Sequence, residues 1–255
     1  MKFHLLSLIF LLSATGLSQA ACDEKPELLI VGDSQTGATW SRSYIGNFLQ
    51  SCLEGNFLLL SRGGSIPMNW LGTSTVDRVE TVQRDREHEQ LNLGLSADVP
   101  LCKRRLTPML EAYKPQRILF QFGGNYIAST DDDIKKDTER LMKLVTEKGI
   151  SNDNCFYLTP TFEMEVASKR NVPLKDLKNV SRITNIISKT IEGHCQLISG
   201  LELMKSSPYF DGKEHLKRVL IEGKAGCGGA AVNDNAHICG EAAKDFAQRV
   251  CDLLN

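Results

Sequence analysis

Four short stretches of this chain hold residue types that could act together on an acyl group: Gly32-Asp33-Ser34, Ser61-Arg62-Gly63-Gly64-Ser65, Gly123-Gly124-Asn125 and Asp234-Asn235-Ala236-His237. A serine hydroxyl attacks a carbonyl only when a base takes its proton, and an imidazole held by a carboxylate is such a base. The attack creates an oxyanion, which preorganised backbone N–H groups or a side-chain amide can meet. Each stretch alone has a plainer reading. Gly-Asp-Ser suits a strand-to-helix turn with a capping serine, paired glycines mark turns, and Asp-x-x-His before a helix is often a cap beside a solvated histidine. Their common placement carries the argument.

That placement comes from the elements. Apolar runs at Leu28–Val31, Phe57–Leu60, Arg117–Phe122, Phe156–Leu158 and Gln196–Ile198 read as strands covered on both faces. Helical patterns fall at about Ser41–Leu53, Lys103–Tyr113, Asp132–Lys148, Leu177–Glu192 and Glu241–Leu254. The third begins acidic after Thr130 and runs to Lys148-Gly149, a good helix signature. Alternation of strand and helix predicts an α/β fold, a mainly parallel five-stranded sheet in a three-layer α/β/α sandwich. Ligands bind beyond the carboxyl ends of such strands. The first three stretches follow predicted strands, and the fourth precedes the last helix.

With the blocks in this order, the sequence resembles the SGNH (GDSL-type) hydrolase superfamily from Leu28 to Val250. The segment Leu106-Thr107-Pro108-Met109-Leu110 through Lys114-Pro115 to Asn125 is also similar to its bacterial members. The resemblance implies a flavodoxin-like fold and no cofactor. It implies Ser34 as nucleophile, His237 as base and Asp234 as the carboxylate that orients it. It assigns the oxyanion hole to the Ser34 N–H, the Gly64 N–H and the Asn125 amide, with Gly63 as a substitute for Gly64. The departures are Gln35 where leucine is common, Tyr126 where aspartate is common, and Asn235 where glycine is usual. A rival to the last block, Asp211-Gly212-Lys213-Glu214-His215, is one residue too long, and no terminal helix follows it directly. His88 in a charge run and His194 beside Cys195 have no expected role.

Residues 1–20 combine Lys2, an apolar run from Leu5 to about Leu17 and Ser18-Gln19-Ala20, the pattern of a secretory signal peptide cleaved after Ala20. The apolar run is too short for a membrane-spanning helix. A lipoprotein anchored through Cys22 is the alternative, weakened by Gln19. All eight cysteines lie beyond Ala20, and an even number in an exported protein predicts disulfides. Cys227–Cys239 and Cys155–Cys195 are the expected pairs. Zinc is disfavoured because neither Cys-x-x-Cys nor His-Glu-x-x-His spacing occurs. Residues 21–255 read as one domain, periplasmic or secreted. In the least legible part, 72–101, the run Asp85-Arg86-Glu87-His88-Glu89 reads as a solvated helix face, with an active-site lid as the alternative.

A formal net charge of −1 gives no basic excess for nucleic acid or an anionic membrane. The segments after the blocks are polar or aromatic, including Trp40, Trp70 and Tyr126, and aromatic rings beside polar donors suit sugars. A buried ring with a hydrogen-bonded polar end is the alternative use of such residues. The resemblance then implies an exported serine esterase acting on a short-acyl, O-acetyl ester of an envelope or extracellular glycan. The alternatives are a glycan O-acyltransferase with the same triad and a non-catalytic glycan-binding or envelope interaction protein on the same fold. The oligomeric state is left open.

Overall fold

The computed structural model describes Cys22 and residues 25–37, 45–72, 79–84, 91–96, 101–126, 129–161, 178–209, 238 and 240–255. Strand β1 (Leu28–Gly32) is central and pairs in parallel with β2 (Phe57–Ser61) on one side and β5 (Arg117–Gln121) on the other. Strands β6 (Cys155–Leu158) and β7 (Gln196–Ile198) continue the parallel set beyond β5. These are the five strands expected from the sequence, and the order β2-β1-β5-β6-β7 puts a topological switch point at β1. The sheet is wider than expected. Strands β3 (Val79–Arg84) and β4 (Leu91–Ser96) add an antiparallel pair beyond β2, giving seven. Strand lies on both flanks of the charge run, and the run itself, read from the sequence as a solvated helix face, falls within residues 85–90, outside the described residues.

The strands alternate their side chains between two apolar layers. Leu29, Val31, Leu58, Leu60, Ile118 and Phe120 face one layer. It is covered by α2 (Pro67–Leu71), α3 (Leu106–Tyr113), α4 (Asp131–Glu147) and α5 (Lys178–Ile191). Leu28, Ile30, Phe57, Leu59 and Leu119 face the other, against α1 (Ile45–Cys52), α6 (Gly200–Lys205) and α7 (Gly240–Leu254). Every residue of β1 and β2 is buried, which is why they read as unbroken apolar runs. Helix α4 starts where Thr130 and Asp133 cap each other's backbone N–H groups, and Gly149 follows its end at φ +71°.

Three disulfides each lie within one layer: Cys22–Cys102 and Cys155–Cys195 in the first and Cys52–Cys251 in the second, with Cα separations of 6.2, 4.5 and 5.9 Å. Cys155–Cys195 is the pair expected from its place ahead of two strands. Cys227 and Cys239 lie outside the described residues. Three bridges indicate non-cytoplasmic, oxidising surroundings. No described helix is long and apolar enough to cross a membrane.

Candidate active site

Strand register brings three of the four blocks to one edge. Gly32 pairs with Ser61 on β2 and with Gln121 on β5, so the three strands end level. Asp33-Ser34, Arg62-Gly63-Gly64 and Phe122 to Asn125 leave the sheet side by side.

The first loop turns sharply. The Asp33 N–H donates to the Gln121 carbonyl at 3.2 Å, one step beyond the β1–β5 ladder. The chain then folds back, with the Thr36 and Gly37 N–H groups donating to the carbonyls of Asp33 and Ser34, each at 3.2 Å. The Thr36 hydroxyl donates to the Asp33 carbonyl at 2.9 Å. A side chain at Gly32 would run into that hydroxyl, which is why the turn opens with glycine. Asp33 points inward, 1% exposed, while Ser34 is half-buried.

The inward carboxylate organises the site. Its Oδ1 accepts the Gln35 N–H at 2.9 Å, an Asx turn, and its Oδ2 accepts the Asn125 amide at 3.2 Å. The same Asn125 nitrogen donates to the Ser65 carbonyl at 3.0 Å. Both amide hydrogens of Asn125 are thus engaged, one on each neighbouring loop. Asn125 sits in a short 3₁₀ turn, Gly124–Tyr126, that follows Gly123 at φ +131°. A Cβ at Gly123 would press within 2.6 Å of the Pro160 ring, so this position also requires glycine.

The second loop carries the two exposed glycines. The Arg62 N–H donates to the Gly32 carbonyl at 3.1 Å, and the Ser65 N–H returns to the Arg62 carbonyl at 3.3 Å. The Ser65 hydroxyl donates to the Arg62 carbonyl at 2.9 Å and accepts the Trp70 indole N–H at 3.1 Å. Gly64 adopts φ +71° with open space around it, whereas a Cβ at Gly63 would stand 4.0 Å from the Ser34 Cβ. Gly63 is the glycine that lies against Ser34, and Gly64 is the one that needs left-handed backbone.

Ser34, Gly64 with Gly63, and Asn125 are therefore brought together. Asp234 and His237 lie outside the described residues, as do Asp211, His215 and Trp40. The residue after His237, Ile238, is buried in the α1/α7 layer, and α7 begins at Gly240, so the last block does precede the terminal helix. His194 is elsewhere, its Nδ1 3.1 Å from the Thr146 hydroxyl. Among the described residues, no group of three or more His, Cys, Asp or Glu could hold a metal ion.

The aromatic reading is corrected at two of its three positions. Trp70 and Tyr126 are at most 1% exposed, and each buries its ring while bonding its polar end, Trp70 to Ser65 and Tyr126 to Asp137 at 3.3 Å. Neither can offer a face to a sugar. Burial pushes the Tyr126 phenol far above its usual range and also raises the Asp137 carboxyl. The role of Asp33 was not anticipated from the sequence. Its signal was available, since an aspartate two residues before a backbone N–H in a turn forms an Asx turn, and a carboxylate beside a buried strand needs donors.

No protein-family model matches the sequence, and no curated protein matches it. Solved structures do. A carbohydrate acetylesterase family member from Sinorhizobium meliloti superposes with a TM-score of 0.52 at 14% identity, covering 89% of this chain and 97% of its own. A peptidoglycan O-acetylesterase gives 0.53 at 11% identity, with 95% and 94% covered. A Slackia heliotrinireducens protein, provisionally described as an SGNH hydrolase, gives 0.55 at 12% identity, with 91% and 100% covered. The sheet order, the level strand ends and these superpositions together establish that the chain has an SGNH-hydrolase-type fold.

Proposed function

We propose that this chain is an exported serine esterase that removes a short acyl group, an acetyl, from an ester on an envelope or extracellular glycan. The observation that carries the reading is the Asn125 amide, which binds both Asp33 and Ser65 and so gathers three strand-end loops around Ser34. Support for the substrate class comes from the fold, shared with proteins named as carbohydrate and peptidoglycan acetylesterases. Support for export comes from the three disulfides and from the signal-like residues 1–20.

In the proposed reaction the Ser34 hydroxyl attacks the ester carbonyl carbon while His237, oriented by Asp234, accepts its proton. The oxyanion is met by the backbone N–H groups of Ser34 and of the Gly63-Gly64 turn. The Asn125 N–H that rests on the Ser65 carbonyl is shared with it. Collapse breaks the C–O bond, and His237 returns its proton to the leaving sugar hydroxyl. His237 then takes a proton from water, whose oxygen attacks the acyl-serine. Carboxylic acid leaves, and the proton goes back to Ser34.

The oxidised protein should react with a fluorophosphonate probe and hydrolyse p-nitrophenyl acetate, and Ser34→Ala should lose both. His237→Ala should be inactive, while His215→Ala should be close to wild type. Silence of the folded, oxidised wild type in both assays overturns the enzyme reading.

A further inference from the structure

Trp70 is 1% exposed, with its ring in the apolar layer under α2 to α5. An indole N–H only donates, so a buried one needs an acceptor. It finds the Ser65 hydroxyl at 3.1 Å. Ser65 is also 1% exposed, and every polar group it carries is used. Its hydroxyl oxygen accepts from Trp70, and its one hydrogen has two carbonyls in reach, Arg62 at 2.9 Å and Gly32 at 3.3 Å. That oxygen ties α2 to the second loop and to the end of β1.

The peptide that follows is held at both ends. Its carbonyl, from Ser65, accepts the Asn125 Nδ2 at 3.0 Å. Its N–H, from Ile66, donates to Asn69 Oδ1 at 2.8 Å. A peptide unit is planar, so fixing its N–H fixes the direction of its carbonyl. Both restraints come from one short helix. Pro67 opens α2 where no N–H is needed, and the Gly72 N–H closes it on the Met68 carbonyl at 2.9 Å. Arg140 of α4 donates to the Met68 sulfur and braces it from outside.

We propose that Asn69 and Trp70 are positioning residues of the oxyanion hole: from α2 they fix the Ser65–Ile66 peptide, whose carbonyl aims the Asn125 amide. The assignment rests on the esterase reading of the same site. Neither side chain touches substrate, so both act through Asn125.

The experiment reads the Asn125 side-chain amide by NMR, its signal identified by its loss in Asn125→Ala. Exchange of its hydrogens with water should speed up about fivefold or more in Asn69→Leu and in Trp70→Phe, the size of one lost hydrogen bond. Backbone amides of β5 should not change, and Asn69→Asp, which keeps the acceptor oxygen, should exchange like wild type. With p-nitrophenyl acetate, Asn69→Leu and Trp70→Phe should each lower kcat about tenfold and leave KM within about twofold, against about 100-fold in kcat for Asn125→Ala. Added to Asn125→Ala, either substitution should lower kcat by less than about twofold, because the group it aims is gone. Unchanged exchange, full kcat losses in the Asn125→Ala background, or no rescue by Asn69→Asp each overturns the proposal. So does failure of both Asn69→Leu and Trp70→Phe to fold in thermal melts, which would place the pair in the fold rather than in the site. Absence of hydrolysis by the wild type would count instead against the esterase, since exchange is read without turnover.

Discussion

The Asp33 carboxylate and the Asn125 side-chain amide meet at 3.2 Å across 92 positions of sequence. This contact joins the first and third blocks directly, and it turns the residue before Ser34, the proposed nucleophile, into the anchor for the candidate oxyanion donor. Asp33 is a positioning residue in this arrangement: it is buried, while its neighbour Ser34 is only half-buried.

Asp33→Asn should therefore disturb activity well beyond a simple loss of charge. The substituted amide can keep the Gln35 N–H on its oxygen, but it then presents N–H to the N–H of Asn125. We expect p-nitrophenyl acetate kcat to fall by about tenfold or more while KM moves little, together with a stability loss of about 1.5–3 kcal/mol for a charge-assisted bond. Unfolding in urea and steady-state kinetics measure the two effects. Unchanged kcat would remove Asp33 from any positioning role.

The two glycines of the second loop separate strain from approach. Gly64 holds φ +71°, so Gly64→Ala should destabilise the fold by about 1–2 kcal/mol through left-handed backbone. Gly63 has no such constraint, but its added methyl would stand 4.0 Å from the Ser34 Cβ, where the proposed substrate arrives. Gly63→Ala should leave the melting temperature nearly constant and lower kcat/KM. If instead the two variants lose stability equally, the division between them is wrong.

Much of this architecture was legible in the sequence because it rests on burial. Strands covered on both faces, such as β1 and β2, have no choice but to be apolar throughout, and their ends located the blocks. Strands β3 and β4 were missed for the complementary reason. Added at the side of the sheet, they carry mixed runs, although Leu91, Leu93 and Leu95 alternate with polar or small residues as a half-covered strand should. The Asp33–Asn125 contact was hidden because pairing across 92 positions is set by strand register, not by local pattern. Trp70 and Tyr126 misled because sequence gives a ring's chemistry but not the direction in which it faces.

The bridge Cys52–Cys251 ties α1 to α7 across a sequence separation of 199, whereas Cys155–Cys195 spans only 40. On the chain-entropy account the longer loop gives the larger effect, about 5 kcal/mol against about 4. Replacing Cys52 and Cys251 together by serine should lower the denaturant midpoint more than replacing Cys155 and Cys195. Equal losses would mean that native packing around each bridge, rather than loop closure, governs its contribution.

Two buried tyrosines on the α4/α5 face should respond to the same substitution with opposite signs. The Tyr157 hydroxyl is buried without a hydrogen-bond partner, and burial, with the nearby charges of Asp33 and Asp137, pushes its phenol far up. Tyr157→Phe removes an unmatched polar atom and should leave stability unchanged or raise it by up to about 1 kcal/mol. Tyr126 donates to Asp137 at 3.3 Å, so Tyr126→Phe should cost about 1 kcal/mol. The pH dependence follows from Asp137, whose carboxyl is raised chiefly by burial. A carboxyl that titrates higher in the folded state favours folding while protonated, below its unfolded value near 4. That contribution is lost as pH rises through the folded value. Asp137→Asn abolishes the titration, so its stability relative to wild type should climb from acid toward neutral pH. Denaturant unfolding at several pH values would measure this, and a constant difference would show that Asp137 is ionised alike in both states.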